Sequence, residues 1–440
     1  MELKTTLTII AVGLLIFLAH LFAGLFRQKK IPDVLLLIII GLVVGPFTGV
    51  VDKDFFSEIG SVFANITLVI ILFEGGTGLR HNVLRSALRG TASLTTVNFV
   101  ISMLATGLCA LVIFDFDPIR SFMLGAFLGG TASAIVIPLV NQMQMDQGSK
   151  TILILESAVS DVLCIVVGLT LFQAFQLGGL NFGNMIASIV GGFLFSVVVG
   201  LLAGVAWSLM LQRVRTLHNS IFTTPAFVFI VYGISELLGF SGAISALMFG
   251  ITLANIDLLP LPLVQKYTRH VPHTFNDTER IFFAEVVFLL KTFFFVYIGI
   301  SIVLTDYFSL AVGGVITLLL FIIRIPVVKL SVRPNLPLDD RVVMAFMVPK
   351  GLAAAVLASL PLQYGMPGGE YIQNITYAAV LMSIVLNSLL VFMHSRAPGL
   401  KWFYGYFLAS GAESVAMASD QAQGLAPEEL EDTGEATETR

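Results

Sequence analysis

Long apolar segments alternate with short polar ones along most of this chain. A helix that crosses a bilayer core needs about twenty apolar residues. Segments of that kind are predicted at 5–26, 32–50, 58–79, 91–113, 119–143, 150–175, 184–211, 221–238, 240–258, 281–302, 308–330, 341–362 and 371–394, and we number them spans 1 to 13. The pattern predicts an all-α polytopic membrane protein with thirteen transmembrane helices.

The composition supports this class. The chain is 57% apolar and only 12% charged, whereas soluble domains are roughly 45–50% apolar and about 25% charged. Residues 1–408 are therefore predicted to form one transmembrane domain, and their charge gives no sign of nucleic-acid binding. Residues 409–440 are acidic and nearly free of large apolar side chains, which predicts a disordered cytoplasmic tail.

The basic residues of the loops predict the orientation. When the N-terminus is placed outside and the C-terminus in the cytoplasm, the outer side holds only Lys4, Lys53 and Arg120. All other loop Lys and Arg residues then lie inside, as the positive-inside rule requires. We expect a multi-pass protein of the cell membrane with this orientation, in direct contact with the lipid bilayer.

Ionisable side chains within spans are costly and are candidates for function. Six lie well inside the predicted spans: Glu74, Glu156, Asp161, Lys291, Arg324 and Lys350. Glu236 and Glu285 lie nearer to span ends, and we interpret them as boundary residues.

Span 6 carries two of these acids. Ser157 precedes Asp161 by one helical turn and shares its face, so that face offers a carboxylate and a hydroxyl to a small cation. Glu156 points about 140° away from Asp161 and needs a cation of its own, for which Lys350 and Arg324 are both candidates. The alternative is that these residues form buried ion pairs that only hold helices together.

Two spans contain residues that interrupt helices. Span 5 includes Gly129-Gly130-Thr131-Ala132-Ser133 and Pro138, and span 12 includes Val348-Pro349-Lys350-Gly351. Each is the fifth span of a set of six, counted over spans 1 to 6 and 8 to 13. Interrupted spans in matching positions indicate a transporter with inverted repeats. We therefore predict two discontinuous helices within inverted six-helix repeats.

The stretch Glu156-Ser157-Ala158-Val159-Ser160-Asp161 resembles the Glu-Ser-x-x-Asn-Asp motif of the monovalent cation:proton antiporter superfamily, in its NhaP-like branch. Further similarities run in order along residues 1–394: Ile31-Pro32 with Gly45-Pro46, Leu72-Phe73-Glu74-Gly75-Gly76, Glu236 to Gly242, Phe293-Phe294-Phe295 with Gly299, Arg324-Ile325-Pro326 and Pro349-Lys350-Gly351.

The resemblance implies a homodimer of the NhaA/NhaP-type fold. Spans 1–3 and 8–10 would form a dimerisation bundle, spans 4–6 and 11–13 a core bundle with two crossed discontinuous helices, and span 7 the linker. Asp161 would bind either a proton or Na⁺, and Glu74, Thr131 and Ser157 match the cation-site residues. Glu156 matches the acid that pairs with a basic residue on helix 11 or 12.

The chain departs from the family pattern at two positions. Ser160 stands where relatives have Asn or Asp, and Ala132 stands where many have Asp. Ser133 could supply an oxygen in place of the missing carboxylate, although only as a neutral ligand. Because Asp161 has no neighbouring second Asp, the exchange of one proton per cation is favoured.

The resulting prediction is an antiporter without a cofactor, and not an enzyme, that exchanges Na⁺ or Li⁺ for H⁺ in pH homeostasis. In it Arg324, Lys350 and Lys291 compensate buried charge. A K⁺/H⁺ antiporter is the nearest alternative, because a site lacking one carboxylate has a weaker field. A cation-coupled symporter would need a polar pocket for which few residues are present. An intramembrane protease would need a second mid-membrane Asp or a Ser/His pair.

Overall fold

The computed structural model describes Ile10 and residues 13–21, 33–49, 53–81, 91–114, 116–176, 182–215, 220–258, 277–396 and 398–408. Every regular element within these ranges is helical. The predicted tail, residues 409–440, lies outside the described residues. The helices are α1 (residues 13–21), α2 (Asp33–Leu42), α3 (Lys53–Gly78), α4 (Ala92–Phe114), α5 (Pro118–Phe127), α6 (Ser133–Gln142), α7 (Gln147–Gln176), α8 (Phe182–Arg215), α9 (Thr223–Leu237), α10 (Gly242–Ala254), α11 (Asp277–Ser301), α12 (Tyr307–Ser331), α13 (Leu338–Phe346), α14 (Leu352–Gln363), α15 (Gly369–Arg396) and α16 (Pro398–Leu408).

The apolar segments form these helices as the sequence predicts. Within the described ranges, six helices are long and apolar enough to cross a membrane: Ala92–Phe114, Gln147–Gln176, Gly191–Leu211, Thr278–Ser301, Tyr307–Ser331 and Gly369–His394. Span 3 coincides with α3, and each of the other remaining spans coincides with shorter helices. Spans 5 and 12 coincide with two each, α5 with α6 and α13 with α14. The count of thirteen crossings stays a prediction, because a short helix does not by itself cover a bilayer core.

The helices pack in two groups. In the first, α3 packs on α10, α10 on α8 and α9, and α11 on α2 and α3. In the second, α7 packs on α5 and α6, α4 on α5, and α15 on α12 and α14. The predicted linker, α8, packs mainly on α10 and also touches α7. The division into a dimerisation bundle and a moving core bundle stays a prediction.

Glycines bring α3 and α10 into backbone contact. A Cβ atom added to Gly76 would overlap the carbonyl oxygen of Leu247, and one added to Gly250 would overlap that of Phe73. Small residues at such positions let two membrane helices approach closely. The adjacent Gly75 has no atom within 4 Å of the place where its Cβ would lie, so only one of the two neighbouring glycines is required for packing.

We expect Gly76→Ala to lower the free energy of unfolding by about 1–3 kcal/mol, because the added methyl group overpacks the contact between α3 and α10. Thermal unfolding of the purified protein in detergent measures this change. Gly75→Ala is the matched control on the same helix and should be neutral or stabilising, since Ala is the better helix former. Equal melting temperatures for the two variants would contradict this account of the contact.

Candidate functional site

Two breaks in the helices meet at the centre of the second group. Residues 128–132 separate α5 from α6, and residues 347–351 separate α13 from α14. The N–H of Ala132 donates a hydrogen bond to the carbonyl of Pro349 over 2.8 Å. A Cβ atom on Gly351 would overlap the Cβ of Ala132, so this close approach requires glycine. The two discontinuous helices predicted from the sequence therefore cross at their breaks.

Asp161 of α7 lies against the first residue of α6. Its Oδ2 accepts hydrogen bonds from the Ser133 backbone N–H over 3.1 Å and from the Ser133 hydroxyl over 2.6 Å. The start of a helix carries positive partial charge, which favours an anion there. Asp161 is only half-buried, so part of its surface can be reached by a proton or an ion.

Ser160 connects α7 to the first break. Its hydroxyl oxygen accepts the N–H of Thr131 over 3.1 Å and lies 3.2 Å from the Thr131 hydroxyl. Both side chains are buried. In the sequence, Ser160 stands out only as a departure from the family motif. Its contact with Thr131 joins residues 29 positions apart, so no local pattern predicts it. Thr131 and Ser133 are thus both held at the crossing, one by Ser160 and the other by Asp161.

The hydroxyl of Ser157 turns towards its own helix. It donates to the carbonyl of Ile154 over 3.0 Å, and the side chain is fully buried. A hydroxyl that donates one hydrogen bond keeps lone pairs that can accept another or bind a cation. Ser157 lies one turn before Asp161, as predicted, and its role as a ligand stays a prediction.

Arg324 is the cation that neutralises Glu156. Both guanidinium Nη atoms contact the carboxylate, with Nη2 2.6 Å from Oε2 and Nη1 paired with Oε1. The Nε of Arg324 donates to the carbonyl of Met344 over 3.0 Å. Arg324 is 0% and Glu156 1% exposed. The pair therefore connects α7, α12 and α13, and it decides between the two partners that the sequence left open.

Lys350 has a different position, inside the second break. Its ammonium group donates to the carbonyl of Gly130 in the first break over 2.8 Å, and its backbone N–H donates to the Ser383 hydroxyl over 2.9 Å. The side chain is buried and lies within electrostatic range of Asp161. Lys350 thus holds the two breaks together and places a positive charge beside the oxygen cluster.

Glu74 and Lys291 lie apart from this cluster. Glu74 lines a cavity of about 260 Å³ between α3, α10 and α11, together with Thr77, Arg80, Arg280 and Phe283. Lys291 of α11 is half-buried and within electrostatic range of Glu74. Among the described residues, the lining of this cavity does not include Asp161 or the hydroxyl side chains near it, Thr131, Ser133 and Ser157. A role for Glu74 in cation binding stays a prediction.

The comparison with known families supplies the class of protein. Residues 13–395 match the family described as sodium/hydrogen exchanger, transmembrane. The chain belongs to this family. The family and its solved members are transporters, so the prediction that this is not an enzyme is confirmed and an intramembrane protease is excluded.

Relatives of this chain in the exchanger family are named for different transported cations. A K(+)/H(+) antiporter NhaP2 of Shewanella baltica is 24% identical over 386 residues, which is 85% of this chain but 64% of that protein. A probable Na(+)/H(+) antiporter 2 of Methanocaldococcus jannaschii is 25% identical over 376 residues, covering 78% of this chain and 83% of that protein. This chain thus spans a little less than two thirds of the Shewanella relative.

The fold matches a solved exchanger. The structure of the sodium proton antiporter MjNhaP1 from Methanocaldococcus jannaschii at pH 8 aligns with a TM-score of 0.69 and 21% identity, over 88% of this chain and 100% of that chain. At this identity the likeness shows the fold alone. It confirms the predicted NhaP-type antiporter fold. The match to the transmembrane exchanger family confirms a multi-pass protein embedded in a membrane.

We expect Arg324→Met to lower the free energy of unfolding by about 3–5 kcal/mol, because it leaves the Glu156 carboxylate buried without its cation. The double variant Glu156→Gln/Arg324→Met should recover most of that loss, since no isolated charge remains. Thermal unfolding in detergent measures both. A double variant as unstable as Arg324→Met alone would show that the loss does not arise from the stranded carboxylate.

Proposed function

We propose that this chain exchanges a monovalent cation for protons across the cell membrane, with Asp161 as the carboxylate that binds either one. The observation that supports this most directly is the position of Asp161. It is a half-buried acid at the crossing of two broken helices, bonded through Oδ2 to Ser133. Transporter sites are typically formed at such breaks, where helix ends and unwound backbone face the ion.

Competition for one carboxylate explains why exchange would be obligatory. A proton and a cation cannot both neutralise Asp161, so each must leave before the other binds. A bare carboxylate is costly to move through a low-dielectric barrier, whereas the protonated or cation-loaded form is nearly neutral. Alternating access would carry the loaded site between the two faces of the membrane through movement of one helix group against the other.

Na⁺ or Li⁺ is the cation that we propose, bound at Asp161 with neutral oxygens from Thr131, Ser133 and Ser157. Hydroxyl and carboxylate oxygens are the hard ligands that such ions prefer. The K⁺/H⁺ alternative keeps a specific observation in its favour, because the Shewanella relative is named for K⁺ while the Methanocaldococcus relative is named for Na⁺. One acid at the crossing supports electroneutral exchange of one proton per cation.

We also propose a homodimer in the cell membrane with the N-terminus outside and the C-terminus in the cytoplasm. The family resemblance supports the dimer, and the distribution of loop Lys and Arg residues supports the orientation. Within each subunit, the helix group that contains α5, α6, α13 and α14 would be the moving core bundle.

Asp161→Asn should reduce cation-driven proton movement in proteoliposomes to the level of protein-free liposomes. The amide keeps an oxygen that can accept from Ser133, so the variant should elute and unfold like the wild type. Asp257→Asn, at an exposed position in the short 3₁₀ helix Ile256–Leu258 that follows α10, is the matched control and should transport normally. If Asp161→Asn still dissipated a pH gradient when Na⁺ is added, the assignment of this carboxylate would be wrong.

A comparison of Na⁺, Li⁺ and K⁺ as driving cations, with and without an imposed voltage, tests the selectivity and the stoichiometry. We expect faster exchange with Na⁺ and Li⁺ than with K⁺, at rates that do not depend on voltage. Faster exchange with K⁺ would favour the alternative. A voltage-dependent rate would show that a second charge moves. Lys350 is the candidate for that charge, because it is the buried cation within electrostatic range of Asp161.

A further inference from the structure

A second cavity lies at the seam between the two helix groups. Its volume is about 80 Å³, and a water molecule needs about 10–15 Å³ of such space, so several waters or a partly hydrated ion fit. The second group contributes residues of α7 and the end of α14, and the first group contributes residues of α9 and the start of α10. Its polar lining consists of Gln173, Gln176, Tyr232, Glu236, Ser241 and Tyr364.

The cavity borders the helix that carries Asp161. The α7 residues that line it, Leu169, Phe172, Gln173 and Gln176, lie about 12–22 Å further along α7 than Asp161 and about 20–120° around the helix from it. The cavity therefore flanks the Asp161 face of α7, nearer to the end of the helix. In the predicted orientation, this end of α7 is the outer one.

Glu236 is the single charged residue among those that line the cavity. Its Oε1 accepts the N–H of Gly242, the first residue of α10, over 2.8 Å. This bond holds the carboxylate at the start of α10, where the positive end of the helix favours an anion, while the Glu236 side chain remains exposed. Its second oxygen, Oε2, accepts no hydrogen bond from the described residues, and Glu236 lines the cavity together with neutral amide and hydroxyl side chains.

We propose that Glu236 forms a capture site that binds a hydrated monovalent cation at this face before the ion passes to Asp161. A fixed anion in a narrow polar cleft raises the local concentration of cations and their rate of association. The proposal rests on the proposed exchange function and adds Glu236 to it, a residue that the sequence indicated as a span boundary and as part of the family resemblance.

Glu236→Gln separates this role from helix capping. The amide oxygen of Gln can still accept the Gly242 N–H, so the cap is retained while the charge is lost. Glu370→Gln is the matched control, because Glu370 is an exposed acid at the start of α15 on the same predicted face and does not line the cavity.

The transport experiment measures Na⁺ uptake from this face in membrane vesicles of known orientation. We expect Glu236→Gln to lower uptake at sub-saturating Na⁺ by about three- to tenfold, to change the rate at saturating Na⁺ little, and to lose its effect when choline chloride screens the charge. Glu370→Gln should match the wild type. Uptake by Glu236→Gln equal to wild type, or a loss that is the same at all Na⁺ concentrations, would overturn the proposal.

A binding experiment keeps this inference separate from the exchange function. In the Asp161→Asn background, the broadening of the ²³Na NMR line by the purified protein should persist through the capture site. It should disappear in Asp161→Asn/Glu236→Gln and remain in Asp161→Asn/Glu370→Gln. Equal broadening by both double variants would exclude a site at Glu236, whether or not the wild type exchanges Na⁺ for protons.

Discussion

Backbone that leaves a helix inside a membrane must find its hydrogen-bond partners within the protein, because the hydrocarbon offers none. The segments 128–132 and 347–351 meet this constraint partly through each other. Ala132 donates to the carbonyl of Pro349, and the Lys350 ammonium donates to the carbonyl of Gly130. Thr131 uses the hydroxyl of Ser160. The candidate site lies where the two breaks satisfy part of each other's backbone hydrogen bonding.

The charges around the crossing divide into those that hold it together and Asp161, which we propose for exchange. Arg324 suits Glu156 because its planar guanidinium binds a carboxylate through two atoms and keeps a further N–H for the carbonyl of Met344. Lys350, with a compact ammonium group, caps a single carbonyl. Asp161 receives its hydrogen bonds only from the neutral Ser133 among the described residues, so its charge remains available to a proton or a cation.

The seam between the two helix groups contains a cavity that is separate from Asp161. Asp161 is positioned by the second group alone, through α6 and α7, whereas the cavity beside Glu236 is shared by both groups. A displacement of one group against the other would change that cavity while leaving the hydrogen bonds of Asp161 intact. The geometry thus separates the proposed ion site at Asp161, which one helix group positions, from a cavity that both groups form.

The sequence by itself determined the helices and their interruptions, because apolar runs, glycines and prolines act locally. Spans 5 and 12 were predicted to break, and they do, within a few residues of Thr131 and Lys350. The same reasoning placed Asp161 and Ser157 on one face, since helical periodicity fixes directions along a single helix.

Only the tertiary structure decided which side chains meet across helices. Glu156 pairs with Arg324 and not with Lys350, Ser133 and not Ser157 bonds to Asp161, and Glu74 lines a separate cavity. These contacts depend on the crossing angle and the relative register of helices that are distant in the chain. Periodicity along one helix contains no information about either quantity, and therefore the sequence could name the candidates but not the pairs.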